Sequence, residues 1–362
     1  MGVPSDPQVW SGTPYNLYAE LLKNNCLAKA FNSKAFPNKY LQFIINLLNS
    51  FYYNHSKDLV RGFLPRYLNA HKVQREIHRS ESKLTLHAGS LDLPFYKMPK
   101  NQNHYLYIDS TWNLWATQAQ SLQGYTQKLI KDAERLAKKS YDQVDHIFSI
   151  SEYVKKDLVD HYKINQEKIT VVGTGLGIIE PYNGIKDYSN GRILFAAKGR
   201  FEDKGGFLVL DAFRIALKKN PKLQLTIVGQ NEYTKRIDSP NIKTYGFISK
   251  EDLQNIFNEN SLFVMPAINE QWGLVYLEAL ACKMPIVGIN RNSFPEICDY
   301  DNYGYGINDI DPRNLADIIV DAFTKPKRLE DMGLKAQKYC LSKYSWEKTV
   351  ANIIKKIIEL EK

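Results

Sequence analysis

From Arg192 onward, short apolar runs alternate with stretches whose apolar residues recur every three or four positions. The runs at 192–197, 223–228, 242–248, 262–265 and 285–289 have strand length and are bounded by glycine, proline or polar residues. Between and after them, 207–219 carries Leu210, Phe213 and Leu217 at helical spacing, and 250–258, 312–323 and 329–342 read as further helices. The last helix, 346–360, puts Trp346, Val350, Ile353, Ile354 and Ile357 on one stripe. Short buried strands alternating with helices predict a parallel sheet covered on both faces. One helix stands apart. From Gly273 to Cys282 the only charge is Glu278. A helix apolar all round is a buried helix, and a carboxylate on it needs a partner. Glu278 therefore either faces a polar ligand or is a buried glutamate satisfied within the fold.

The first half repeats the α/β pattern less clearly. Helices are expected at 15–24, 40–52 and 151–162, the last capped by Ser151, and strands at 105–109, 146–149 and 170–172. Few residues precede Pro4, so the first strand is expected to be short or missing, or the start trimmed. Breakers cluster where Pro181, Asn183-Gly184 and Ser189-Asn190-Gly191 follow one another. They divide the chain into a first domain at 1–180, a linker at 181–191, a second domain at 192–344 and a terminal helical segment at 345–362. The stretch from Ile169 to Gly177 imitates a dinucleotide fingerprint. Ile178 replaces its third small residue, and Pro181 would break the helix that must follow, so it reads as a turn.

Bulk properties narrow the classes. The 362 residues are 44% hydrophobic and 24% charged, enough for two cores. No apolar run reaches membrane-spanning length, and no signal-peptide pattern opens the chain. The four cysteines, far apart, suggest neither a metal site nor a disulfide framework, which favours a reducing cytoplasm. Net charge is +9, roughly +6 of it in the first half. On a helical wheel Lys128, Lys131, Arg135, Lys138 and Lys139 share one side, opposite Leu129, Ala133 and Leu136. This basic helix, 128–139, is either a solvated face or a peripheral contact at the inner face of a membrane.

Candidate chemistry collects in the second half, where three loops follow strands and so sit at the carboxyl edge of the sheet. The first, from Lys198 to Gly206, offers Arg200 and Lys204, cations suited to a diphosphate. Gly229 opens the second. The third holds Glu270 and Glu278 around Gly273-Leu274, whose free N–H groups make an anion site at a helix start.

Over 192–358 the chain resembles the retaining glycosyltransferases of family 4. The resemblance rests on Gly199-Arg200 with Lys204-Gly205, Glu270 with Glu278, Pro285-Ile286-Val287, Pro295-Glu296-Ile297 and Tyr344-Ser345-Trp346. It is thinner in the first half, at Trp10-Ser11-Gly12-Thr13-Pro14 and 147–152. It implies a GT-B fold, with two Rossmann-like α/β/α domains facing across a cleft. The implied reaction moves a sugar from a nucleotide diphosphate to a hydroxyl with retention of configuration, in glycan, polysaccharide or glycolipid synthesis. No metal or other cofactor is implied. Arg200 and Lys204 would bind the departing diphosphate, Glu278 the ribose, Glu270 the transferred sugar, and Gly273 and Leu274 the phosphates. Gly12 would approach from the opposite domain, and the last helix would cross back to pack on the first domain. The donor would be a UDP- or GDP-sugar, the acceptor a glycan, a lipid-linked glycan or a small molecule.

Three positions depart from the family. The Arg200–Lys204 spacing is one residue tighter than usual. Lys283 replaces a glycine after the helix, a structural matter. The strand-end histidine common in the first domain is absent from Tyr107-Ile108-Asp109-Ser110; Asp109 is the better-placed polar candidate, with His87 as the other. That gap motivates a second reading, a non-catalytic nucleotide-sugar-binding or scaffold protein. Nucleic-acid binding ranks last, because the positive charge comes without interleaved aromatics.

Overall fold

A computed structural model describes residues 4–6, 12–33, 39–80, 82–93, 95, 102–118, 121–229, 232–233, 235 and 237–362. The chain forms two compact units, Met1–Gly175 with Trp346–Lys362, and Leu176–Ser345.

The first unit contains α1 (Thr13–Lys23), α2 (Lys39–Tyr52), α3 (Phe63–Ser80), β1 (Leu84–Ala88) and β2 (Asn103–Ile108). It continues with α4 (Trp112–Ala116), α5 (Gln127–Gln143), β3 (His146–Ser149), α6 (Glu152–Asp160) and β4 (Ile169–Val171). Its sheet runs β1-β2-β3-β4, all parallel. Crossovers that step one way in right-handed turns return on one face. There Leu106, Ile108 and Ile147 pack with Ala133 and Tyr141 of α5 and Val154 and Leu158 of α6. The opposite face shows Tyr105 and Phe148, with rings 6.0 Å apart. Asn103 Nδ2 donates to the Glu361 carboxylate at 2.7 Å, as does the Tyr105 hydroxyl. Glu361 directly follows the terminal helix, Trp346–Leu360, which belongs to this unit and buries Val350 and Ile353. Met1–Val3, where a short first strand was expected, lie outside the described residues.

The second unit contains β5 (Arg192–Ala196), α7 (Gly206–Lys219), β6 (Gln224–Val228), β7 (Ile242–Tyr245) and α8 (Lys250–Glu259). After these come β8 (Leu262–Val264), α9 (Leu274–Ala281), β9 (Ile286–Ile289), α10 (Phe294–Ile297) and β10 (Gly304–Ile307). Two helices close it, α11 (Pro312–Thr324) and α12 (Pro326–Lys343), and the terminal helix is α13. The six-stranded parallel sheet runs β10-β9-β8-β5-β6-β7. Strand order therefore reverses between β5 and β8, the place where open α/β sheets leave a crevice at their carboxyl ends.

The unit boundary lies at Gly175, and the stretch 181–191 is not a free linker. Tyr188 is buried, and its hydroxyl donates to the Lys283 carbonyl at 2.8 Å. The buried Lys186 ammonium donates to the carbonyls of Phe257 and Asn258 at the end of α8, at 3.0 and 2.7 Å. Cations are favourable at a helix C-terminus, so the breakers here make turns that dock on α8. Lys283 has φ 58° and ends α9 in a Schellman turn, with Met284 N–H to Ala279 O at 2.9 Å and Lys283 N–H to Leu280 O at 3.0 Å. Its ammonium donates to Gly184 O at 2.8 Å, a structural role.

Candidate functional site

The loops after β5 and β8 meet at the switch point of the second sheet. Behind β5 the chain makes tight turns, Lys204 N–H to Arg200 O at 3.0 Å and Gly205 N–H to Glu202 O at 2.9 Å. Gly205 caps α7 at φ 79°, and a Cβ there would collide with the Pro266 carbonyl, so only glycine lets the loops approach. They are stitched by backbone: the N–H groups of Ile268 and Asn269 both donate to Asp203 O, at 2.9 and 3.3 Å. Asn292 Nδ2 holds the Glu270 carbonyl at 3.0 Å, and Ser293 Oγ holds the Trp272 carbonyl at 3.3 Å.

This framework presents charged groups of both signs. Lys204 is buried and its ammonium contacts the Glu270 carboxylate as an ion pair. Burial, then the like charge of Arg200, pushes the Lys204 pKa down to about 7; Asp203 pulls it up. The touching Glu270 carboxylate also favours the charged form. Arg200 is half exposed. Its Nε donates to Asp203 Oδ2 at 3.1 Å and its guanidinium to the Asn269 carbonyl at 3.2 Å. Gly273 (φ 71°) opens α9, and the N–H groups of Leu274 and Val275 have no acceptor among the described residues. Glu270, the partner of Lys204, lies three residues before Gly273 in the loop after β8, so the ion pair stands next to the positive end of the α9 dipole.

Glu278 lies four residues further along α9 and is buried. Its Oε1 accepts from the N–H groups of Ile178 and Ile179, at 2.7 and 3.2 Å. Burial raises its pKa to about 7, against the downward pull of those two donors. A Cβ on Gly177 would collide with Oε1. A Cβ on Gly175 would collide with the Trp346 indole. The false fingerprint thus has a physical purpose: its last two glycines admit two side chains from distant parts of the chain. One oxygen of Glu278 is committed to the fold, and Oε2 makes no hydrogen bond among the described residues.

The structure brings Arg200, Lys204, Glu270, Gly273, Leu274 and Glu278 into the second unit. Gly12 and Asp109 belong to the first. Gly12 caps α1 at φ 83°, while Trp10 and Ser11 lie outside the described residues. Asp109 follows β2 at the carboxyl edge of the first sheet, partly buried. His87 sits within β1, its Nε2 3.0 Å from His104 Nδ1, and burial, then His104, lowers its pKa to about 3. Both factors favour its neutral form. Gly229 (φ 126°) approaches the Ala197 carbonyl, and parts of the loop after it lie outside the described residues. Asp203, which joins the two loops through its carbonyl and holds Arg200 through its carboxylate, was not singled out from sequence. Its position between Arg200 and Lys204 was the available signal. Among the described residues, no three His, Cys, Asp or Glu converge as metal ligands, and no helix is long and apolar enough to cross a membrane.

Residues 184–339 match the family model for glycosyl transferases group 1. A D-inositol 3-phosphate glycosyltransferase of Paenarthrobacter aurescens is 28% identical over 54% of this chain and 52% of its own length. The chain spans between 41% and 64% of the first curated relatives it matches. Among solved structures, a glycosyltransferase from Rickettsia africae superposes with a TM-score of 0.63 at 16% identity, covering 95% of this chain and 88% of its own. Anabaena HepE, solved with UDP, gives 0.61 at 15% identity, covering 80% and 82%. The fold is GT-B, two α/β units each built on a parallel sheet.

Proposed function

We propose that this chain is a glycosyltransferase that moves a sugar from a nucleotide diphosphate to a hydroxyl acceptor, retaining anomeric configuration and using no metal ion. The observation that carries the reading is the Lys204–Glu270 pair beside Arg200 and the open start of α9, at the switch point of the sheet. When the bond between the anomeric carbon and the phosphate oxygen breaks, negative charge gathers on the diphosphate. Arg200, Lys204 and the N–H groups at Gly273 and Leu274 are fixed where they stabilise that charge. Glu270 turns to the transferred sugar as its ammonium partner turns to phosphate. Glu278 offers Oε2 to the ribose hydroxyls, its other oxygen pinned by backbone. The acceptor oxygen bonds to the anomeric carbon from the departing side, and its proton passes to the leaving phosphate. Gly12 is assigned to donor approach and Asp109 to the acceptor side. The donor is a UDP- or GDP-sugar, and the acceptor a glycan, a lipid-linked glycan or a small molecule.

Product formation by pure, chelator-treated protein, with the anomer read by proton coupling, tests each element. Transfer with retention, lost in Glu278→Gln, supports the reading; inversion or a divalent-ion requirement removes the corresponding part. One observation favours a second reading, nucleotide-sugar binding without turnover. No histidine stands at the end of β2, and His87 is held by His104. Donor binding with no transfer to any acceptor, and no donor hydrolysis, would select it.

A further inference from the structure

Helix α2 carries an apolar face that the fold leaves uncovered. Ile45 and Asn49 are buried, and Asn49 Nδ2 donates to Leu59 O at 2.7 Å. On the other side Phe43 is 66% exposed, Leu48 58% and Phe51 63%, with Ile44, Leu47 and Tyr52 also exposed. A helix of a water-soluble fold turns such residues inward, and a contiguous patch of this kind marks a contact surface.

The surroundings are net positive. From Leu21 to Lys57 the chain has five lysines and no aspartate or glutamate. The start of α5 adjoins the end of α2: Lys128 Nζ lies 3.3 Å from the Tyr52 ring centre and donates to Tyr52 O at 3.0 Å. Lys131, Arg135, Lys138 and Lys139 continue along the exposed side of α5. Acids pair within the region, Asp58 with Arg61 and Asp132 with Arg135, both at 2.7 Å, and Asp142 with Lys138 at 2.9 Å, which leaves Lys128, Lys131 and Lys139 as the surplus cations. The apolar half of the basic helix expected at 128–139 is buried in the core, and the exposed apolar side chains beside its basic face are those of α2.

We propose that α2 seats on the surface of an anionic phospholipid bilayer, with its apolar side chains at the headgroup–acyl boundary and Lys128, Lys131 and Lys139 of α5 toward lipid phosphates. At 14 residues the helix is about 21 Å long, short of the roughly 30 Å hydrocarbon core, so it lies on the membrane rather than across it. A second copy of the chain fits the face less well. A two-fold contact sets a patch against itself, and here that opposes lysines to lysines. The inference rests on the first unit alone and is independent of the donor reading.

Flotation of the full chain with vesicles tests it, using phosphatidylcholine with and without phosphatidylglycerol, at about 0.1 M and about 0.5 M salt. The chain is expected to float with the anionic vesicles and to be released by the higher salt. Leu48→Gln/Phe51→Gln is expected to partition at least about tenfold more weakly, with far-UV spectrum and melting temperature unchanged, since both side chains are exposed. Failure of the native chain to float, or flotation of the double variant equal to it, overturns the proposal. So does a native dimer that the double variant loses, which would assign the face to a second copy.

Discussion

Glu278 is the residue whose environment says most. A carboxylate with two backbone donors would ordinarily ionise easily, yet burial outweighs them and sets its pKa at about 7. Its unfolded value is lower, so the folded state holds a proton more tightly. Stability from that proton is fully present below about pH 4.3 and is lost as pH rises through about 7. Gln in its place still accepts from Ile178 and Ile179 but never ionises. Glu278→Gln is therefore expected to melt higher than the native chain at pH 8, by at most about 4 kcal/mol, with the gap closing by pH 4. Thermal melts at the two pH values check this; equal gaps would show that the carboxylate is not desolvated. At Lys204, loss of the cation leaves Glu270 unpaired beside the diphosphate. Lys204→Gln is expected to lower turnover at least about a hundredfold, and the half-exposed Arg200, as Arg200→Gln, to lower it less. A turnover comparison that reverses this order would move the phosphate site away from Lys204.

At the scale of elements, two glycines set the site's shape. Gly205→Ala is strained at φ 79° and drives a methyl into a backbone carbonyl that cannot swing away. It is expected to destabilise the second unit by about 2 kcal/mol, read by denaturant melts, with turnover lost in proportion. Gly177→Ala instead meets the end of a side chain, so the fold survives and donor affinity falls because Glu278 is displaced. Titration of donor against this variant checks the distinction. These effects also explain what was legible beforehand. The central strands β5, β8 and β9 stand out because both faces are covered and their residues are almost continuously apolar, whereas the edge strand β7 carries Lys243 and Thr244 and is largely exposed. β1 and α3 did not, since β1 is half exposed with a histidine in it, and α3 buries Arg66 on the face a wheel would need apolar. The Arg200–Lys204 loop and the Glu270–Glu278 helix are each local in sequence and could be read. The seat of Glu278 could not, because Gly177 lies about a hundred residues away and no spacing announces it. The same holds for the docked stretch 181–191, where turn residues resemble a linker until Lys186 finds its carbonyls.

Across the whole molecule, titratable groups are unevenly shared. All seven histidines precede residue 162 and so lie in the first unit. Burial lowers His87 to about 3 and His146 to about 4, and lowers His104 as well. For a lowered histidine the unfolded chain takes the proton first, so stability is lost as pH falls below about 6.5. The second unit has no histidine, and Glu278 favours it in acid. Limited proteolysis at pH 5 is expected to cut the first unit well before the second; the reverse order would contradict the neutral His87–His104 pair.

The central claim is that the switch point of the second sheet binds a nucleotide diphosphate sugar through Lys204, Arg200 and Glu278. A thermal-shift panel of UDP-, GDP- and ADP-sugars, run on the native chain and on Lys204→Gln, tests it most directly. One donor is expected to stabilise the native chain by about 2.7 kcal/mol at a hundred times its dissociation constant, and the variant far less. No shift with any donor, or an equal shift in the variant, would contradict the account.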